Sequence, residues 1–227
     1  MNKKESRQFN ISVEGINCEK MYFEHLARLI NNSNFNTYNL KISPRKMTPL
    51  EYAKRNAHKP HEKKKSGQSI PFIHIQDIED FYDESQRTKF FGIIDEMRTA
   101  EETFHITYRL GYSNYTFELW MLLHVADMNH AVPNRKSYLP LINRWFARNY
   151  SDIDEFKHEK EFQQILDEYV SLNSVKQAIN RAQQIVSLNA ETGKTKENYK
   201  NVSFYQDNPD VSVHEIVQMI FDVCKVI

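Results

Sequence analysis

The most regular feature of the chain is a pair of short apolar runs, each closed by carboxylates. Phe9-Asn10-Ile11-Ser12-Val13 alternates with the period of a strand and ends at Glu14-Gly15. Pro71-Phe72-Ile73-His74-Ile75-Gln76 forms a second strand, which ends in Asp77-Ile78-Glu79-Asp80. Between them, Met21, Tyr22, Leu26, Leu29 and Ile30 repeat at helical spacing over about residues 18–31, and Tyr38–Ile42 makes a weaker strand. Thr48-Pro49-Leu50-Glu51 then places a cap, a first-turn proline and a glutamate for a helix reaching about His58.

A helix over about 85–97 and a strand over about 104–110 follow the second acidic run, with Gly111-Tyr112-Ser113-Asn114 as the turn. Strands alternating with helices predict an α/β fold with a mostly parallel sheet flanked by helices. Past this point the pattern is entirely helical, with stretches over 116–124, 137–148, 154–169 and 174–188. Asn208-Pro209-Asp210-Val211 breaks the chain before a last helix, in which Ser212 and Glu215 form a capping box and Val213, Ile216, Val217, Ile220 and Phe221 share one side. The expected organisation is a core over 1–112 and a helical extension over 113–227 packed on it, within what can also be one domain.

Composition narrows the function by exclusion. Thirty basic and thirty acidic residues in 227 give zero formal charge, so any contact with nucleic acid must be local. Five glycines and no Walker A or dinucleotide fingerprint argue against a glycine-rich phosphate loop. Cys18 and Cys224, the two cysteines, support neither a zinc ribbon nor a disulfide framework and fit a reducing cytoplasm. Met1–Gln8 is charged, with no apolar core of secretory length behind it, and Leu119–Leu123 is far too short to span a bilayer. A soluble protein with no membrane partner is expected.

The carboxylates carry the chemistry. In an open α/β sheet the crevice beyond the carboxyl ends of the strands binds ligands, and there Glu14, Asp77 and Glu79 can converge. Ionised carboxylates that close repel one another unless a cation sits among them, and a hard ion such as Mg²⁺ or Mn²⁺ suits oxygen donors and a phosphodiester substrate. The plainer reading of Glu14 is a strand-end residue at the start of the next helix, where negative charge is welcome. Glu118 lies among Phe117, Leu119, Trp120 and Met121, so it is either hydrogen-bonded to the Ser113-Asn114 turn or placed beside the metal. Lys59, Lys63, Lys64 and Lys65, with Arg55, can approach a phosphate backbone or form a solvated loop. Arg87, Lys89 and Arg109 are further phosphate contacts on the same argument. His58, His61, His74 and His105 lack zinc spacing and fit ordinary surface or core positions.

Three blocks resemble the RloB-like family, whose members are similar to Toprim-type nuclease domains and sit beside ATPases in bacterial phage-defence and restriction loci. Val13-Glu14-Gly15 with Glu19, Tyr22, Phe23, Glu24 and Leu26 is similar to its EG…TE…YFE…L opening. Asp77-Ile78-Glu79-Asp80 stands in the place of a Toprim DxD. Ser113–His124 is close to SNPxFELWLLLH and is the most specific, and Asn208-Pro209 with Val213-His214 extends the likeness almost to the end. Cys18 replaces threonine, Glu79 an aspartate and Tyr115 a proline.

The resemblance implies a Toprim-like sheet and an Mg²⁺- or Mn²⁺-dependent endonuclease. Glu14, Asp77 and Glu79 would be its catalytic and metal residues, with Glu118 a further ligand. It also implies an AAA- or ABC-type ATPase partner encoded nearby and a role in abortive infection. A non-catalytic scaffold or sensor that binds an ATPase or a phage component is the alternative, supported by Glu79. The sequence fixes neither DNA against RNA nor whether the chain forms a homo-oligomer.

Overall fold

The computed structural model describes residues 5–33, 38–57 and 70–226. The first half supplies β1 (Glu5–Phe9), β2 (Ile11–Val13), α1 (Cys18–Asn32), β3 (Tyr38–Ile42), β4 (Arg45–Lys46), α2 (Pro49–Asn56), β5 (Phe72–Asp77), α3 (Glu84–Phe104) and β6 (Tyr108–Asn114). The second supplies α4 (Glu118–Leu122), α5 (Tyr138–Trp145), α6 (Ile153–Lys157), α7 (Glu159–Tyr169), α8 (Leu172–Glu191), β7 (Lys196–Tyr199), β8 (Val202–Tyr205), β9 (Asp210–Val211) and α9 (Val213–Cys224).

The main sheet runs β4-β2-β5-β6-β9, with β9 antiparallel to its neighbour and the others parallel. The pair β1-β3 continues the β2-β4 pairing in one register, since Phe9 faces Ile42 and Ser12 faces Arg45. β5 is buried at all six positions, as a strand covered on both faces must be. Ile11, Val13, Ile73 and Ile75 pack with Tyr22, Phe23, Leu26 and Ile30 of α1, in a core that takes in Trp120, Phe162, Ile179 and Ile220 of the second half. On the other face Phe72 meets Tyr52 and Ala53 of α2, Met97 and Ala100 of α3, and Tyr108. The α/β class and the mostly parallel sheet are as the sequence indicates.

The second half departs from all-helical. β7 and β8 form a hairpin around Lys200 and Asn201, both at positive φ (46° and 67°), and β9 joins the main sheet. Two left-handed residues are what a tight hairpin turn demands, yet Lys-Asn is a weak signal beside Asn-Gly. β7 also alternates only between exposed and half-buried, so it offers no apolar stripe to recognise.

Gly111–Asn114 is strand, not turn. Gly111 serves close packing: a Cβ there would lie 2.8 Å from Ile75 Cδ1 and 2.9 Å from Ile216 Cγ1, so α9 approaches the sheet through its missing side chain. Ser212 heads α9 without capping it; its hydroxyl accepts from the Tyr112 N–H (2.9 Å) and donates to the Leu110 carbonyl (3.3 Å). The expected helix over 154–169 breaks at His158, whose backbone is extended. Thr48 caps α2 and Asp83 caps α3, as their residue types suggest. No helix among the described residues is long and apolar enough to cross a membrane.

Asp210 fastens the hairpin to the sheet. Its buried carboxylate accepts from Tyr112 Oη (2.8 Å) and from the N–H groups of Tyr205 (2.7 Å) and Val211 (3.0 Å). Asp210→Ala strands these donors and is expected to cost about 3 kcal/mol, read as a lowered urea midpoint. An unchanged midpoint would remove Asp210 from this role.

Candidate active site

β2, β5 and β6 end side by side, because Val13 pairs with Ile75 and Asp77 with Ser113. Side chains alternate across a strand, so Ser12 and Glu14 share a face with His74 and Gln76, and Asp77 departs from the other. Glu14 stands at the wall of an open cavity of about 390 Å³, lined also by Lys46, Thr48, Glu51 and Lys89. Asp77 lies towards α1. The structure therefore brings Glu14 and Asp77 together at the sheet edge, where the charge of Glu14 acts on Asp77 and both act on Lys89.

Glu14 is held from several sides. Its Oε2 accepts from the Asp77 N–H (3.1 Å) and from the Gln76 amide, and its Oε1 pairs with the Lys89 ammonium of α3. Asp77 is buried; burial first, then the charges of Glu19, Glu118 and Glu14, push its carboxyl well above the usual aspartate range.

Glu19, in the first turn of α1, is the member that sequence reasoning left out of the site. Its buried carboxyl is raised from 4.5 to about 7, by desolvation and then by Glu118 and Glu14, against the lowering effect of its own backbone N–H and of Lys157. It occupies the space that a side chain on Gly15 would take: a Cβ there would fall 2.0 Å from Glu19 Oε2. The glycine after Glu14 thus makes room for a second carboxylate. Cys18 is buried beside these acids, and desolvation with the charges of Glu118 and Glu19 keeps its thiol protonated.

The remaining acids are met by cations from the helical half. Glu79, at φ 59°, lies 3.6 Å from the Arg135 guanidinium, and burial raises its carboxyl while Arg135 opposes the rise. Glu118 opens α4 at 1% exposure, with Lys157 Nζ 2.7 Å from its Oε1. Burial alone would raise Glu118, but Lys157, Thr116 and Arg135 prevail and its carboxyl is lowered. Neither expected role for Glu118 is the whole of it, since Ser113 and Asn114 form no turn and the ion pair with Lys157 is its principal contact. The break at His158 leaves Lys157 at the end of α6, where the Asn17 side-chain amide donates to its carbonyl (3.1 Å).

Among the described residues no three acidic, histidine or cysteine side chains are gathered closely enough to hold an ion. The donor chemistry nonetheless suits one. The acids are hard oxygen donors that raise one another's affinity for protons, and they outnumber Lys89, Arg135 and Lys157. Ser113 Oγ and Arg135 Nε are buried without a hydrogen bond among the described residues, whereas the Glu118 carboxylate is met by Lys157 and Thr116. Unsatisfied buried polar atoms at one edge are what an ion with its water shell would complete.

Of the proposed phosphate contacts, Lys89 reaches the site, and Arg55 lies in the last turn of α2, whereas the first turn faces the cavity. Lys59, Lys63, Lys64 and Lys65 fall outside the described residues. Lys157 and Arg135 gave no sequence signal, being ordinary cations of helical or loop segments. His74 and Gln76 did give one: polar residues two apart in a strand buried on both faces need partners. His74 has them in Ser12 Oγ (2.8 Å) and Gln76 Oε1 (3.2 Å), and desolvation lowers its pKa to about 4.

A family model described as RloB-like protein matches residues 9–220. No curated protein and no solved structure matches the chain.

Lys157→Met leaves a buried carboxylate unpaired and is expected to cost about 3 kcal/mol in urea unfolding, with most of it regained in Glu118→Gln/Lys157→Met. Equal losses in both variants would show that the pair is not the source. Glu19 binds its proton more tightly folded than unfolded, so between pH 4.5 and about 7 it lowers stability as pH rises. Buried His74 and His124, both lowered to about 4, act in the opposite sense, so the comparison is with Glu19→Gln. The melting temperature of the wild type should fall relative to that variant across the window and run parallel above it. Parallel curves throughout would contradict the assignment.

Proposed function

Because the chain belongs to the RloB-like family, we propose that it is a divalent-metal-dependent nuclease that cleaves phosphodiesters of DNA or RNA in phage defence, alongside an ATPase partner. The observation that carries this reading is the concentration of acid at the carboxyl edge of β2 and β5, where burial raises both Glu19 and Asp77, the charges of Glu118 and Glu14 add to both, and Glu19 adds to the rise of Asp77. Carboxylates in that state are stabilised by a cation, and phosphodiester chemistry is what a hard ion among oxygen donors serves.

Asp77 and the Oε1 oxygen of Glu14 are the natural holders of Mg²⁺ or Mn²⁺, with Glu79 and Glu118 as the further candidates. When bound, the ion supplies polarisation of a phosphoryl oxygen and a water of lowered pKa. The chain's own residues position the substrate. Lys89 and Arg135, partly exposed beside Glu14 and Glu79, can turn their charge onto a backbone phosphate. The buried Glu118–Lys157 pair braces the edge. The ATPase and the defence role rest on the resemblance to family members found beside ATPases.

A second reading, a non-catalytic scaffold or sensor that docks on an ATPase or a phage component, is favoured by one observation. Glu14, Glu79 and Glu118 each already face a cation of the protein. Incubation with DNA and with RNA, with and without Mg²⁺ or Mn²⁺ and with the ATPase present, separates the two. Metal-dependent cleavage that falls more than about a hundredfold in Asp77→Ala is expected. No cleavage under any of these conditions, together with a metal-induced thermal shift that survives Asp77→Asn, would sink the nuclease reading.

A further inference from the structure

Glu14 is the end of a hydrogen-bonded chain that crosses from β2 to β5 and back. Ser12 and His74 are directly paired across the two strands, with Ser12 Oγ 2.8 Å from His74 Nδ1. His74 Nε2 lies 3.2 Å from Gln76 Oε1, and the Gln76 amide nitrogen donates to Glu14 Oε2 and to the Asp77 carbonyl (3.1 Å). Ser12, His74 and Gln76 are all buried, at 0%, 1% and 2% exposure, so these contacts have no solvent substitute.

The direction of the chain follows from chemistry. An ionised carboxylate and a backbone carbonyl only accept hydrogen bonds, so both acceptors beside Gln76 require its NH₂ and turn its oxygen towards His74. That oxygen accepts only, so His74 must carry its proton on Nε2. Nδ1 of the neutral ring is then an acceptor, and the Ser12 hydroxyl donates to it at 2.8 Å in preference to the Ile73 carbonyl, which lies 3.3 Å away. Reversing any link sets two acceptors face to face in a buried place.

The same geometry divides the work of the two Glu14 oxygens. Oε2 is tied inward to the Gln76 amide and the Asp77 N–H, and Oε1 meets Lys89, whose side chain is 53% exposed. We propose that Ser12, His74 and Gln76 are positioning residues, a one-directional relay that fixes Glu14 with Oε1 turned to a divalent cation and with Lys89 as its exchangeable counter-ion. The cation half of this statement rests on the metal-dependent reading above; the relay does not.

Two measurements separate them. In the wild type without metal, ¹⁵N NMR of the His74 ring is expected to show Nε2 protonated and Nδ1 bare as a single tautomer, without the minor Nδ1-protonated form that an unconstrained neutral ring also populates. A ring protonated on Nδ1 with Nε2 bare would overturn the relay whatever the metal does. Manganese titration by calorimetry is expected to weaken about tenfold in Gln76→Met, the scale of losing a partner behind a ligand, and to tighten in Lys89→Met, which removes the competing ammonium. Circular dichroism confirms that each variant is folded, and Ser12→Ala, a smaller change, serves if Gln76→Met is not. Unchanged affinity in a folded relay variant, or weaker binding in Lys89→Met, overturns the assignment of the two oxygens. A wild type that binds no manganese removes the cation half and the metal reading with it, leaving the tautomer result standing.

Discussion

The parallel register of β2 on β5 is the constraint on which the rest of this edge depends. Val13 opposite Ile75 brings Glu14 level with Gln76 and sets Gly15 beside the end of β5. A slip of one residue would turn Ser12 and Glu14 into the apolar core and Val13 into the cavity beside α2 and α3. The pairing is protected against this because Ile11, Val13, Ile73 and Ile75 fill one face with α1, while the opposite face holds a polar row that only its own neighbours can satisfy.

Within that frame the difficulty is buried negative charge. Asp77, Glu19 and Glu118 are each removed from water, and isolated ions there would be costly. The protein answers in two ways: Glu118 remains ionised through Lys157, while Glu19 and Asp77 are pushed towards the protonated form. An environment that holds one carboxylate charged and its neighbours near neutrality is how acid and base roles come apart on one surface.

Much of this was legible before the fold was known. The two acidic strand ends, the parallel α/β layout and the cap at Thr48 follow from local chemistry, and those features are what periodicity records. The break at His158, the β7-β8 hairpin and Lys157 do not, because each is decided by contacts far along the chain: Lys157 meets Asn17 and Glu118, and the hairpin is fastened through Asp210 to Tyr112. Glu19 was visible as a residue but not as a neighbour of Asp77. Its place depends on Gly15 having no side chain, a fact about volume that spacing does not express.

Asn17 and Lys157 give the edge a mechanical property. The residue that neutralises Glu118 is fastened by its own carbonyl to the loop that carries Glu14 into α1. Seating of α6 and neutralisation of the acidic edge are therefore one event. Anything that lifts this helix bares an anionic surface, and anything that draws positive charge to that surface loosens the helix's hold, so the helical half and the strand ends sense each other through this lysine.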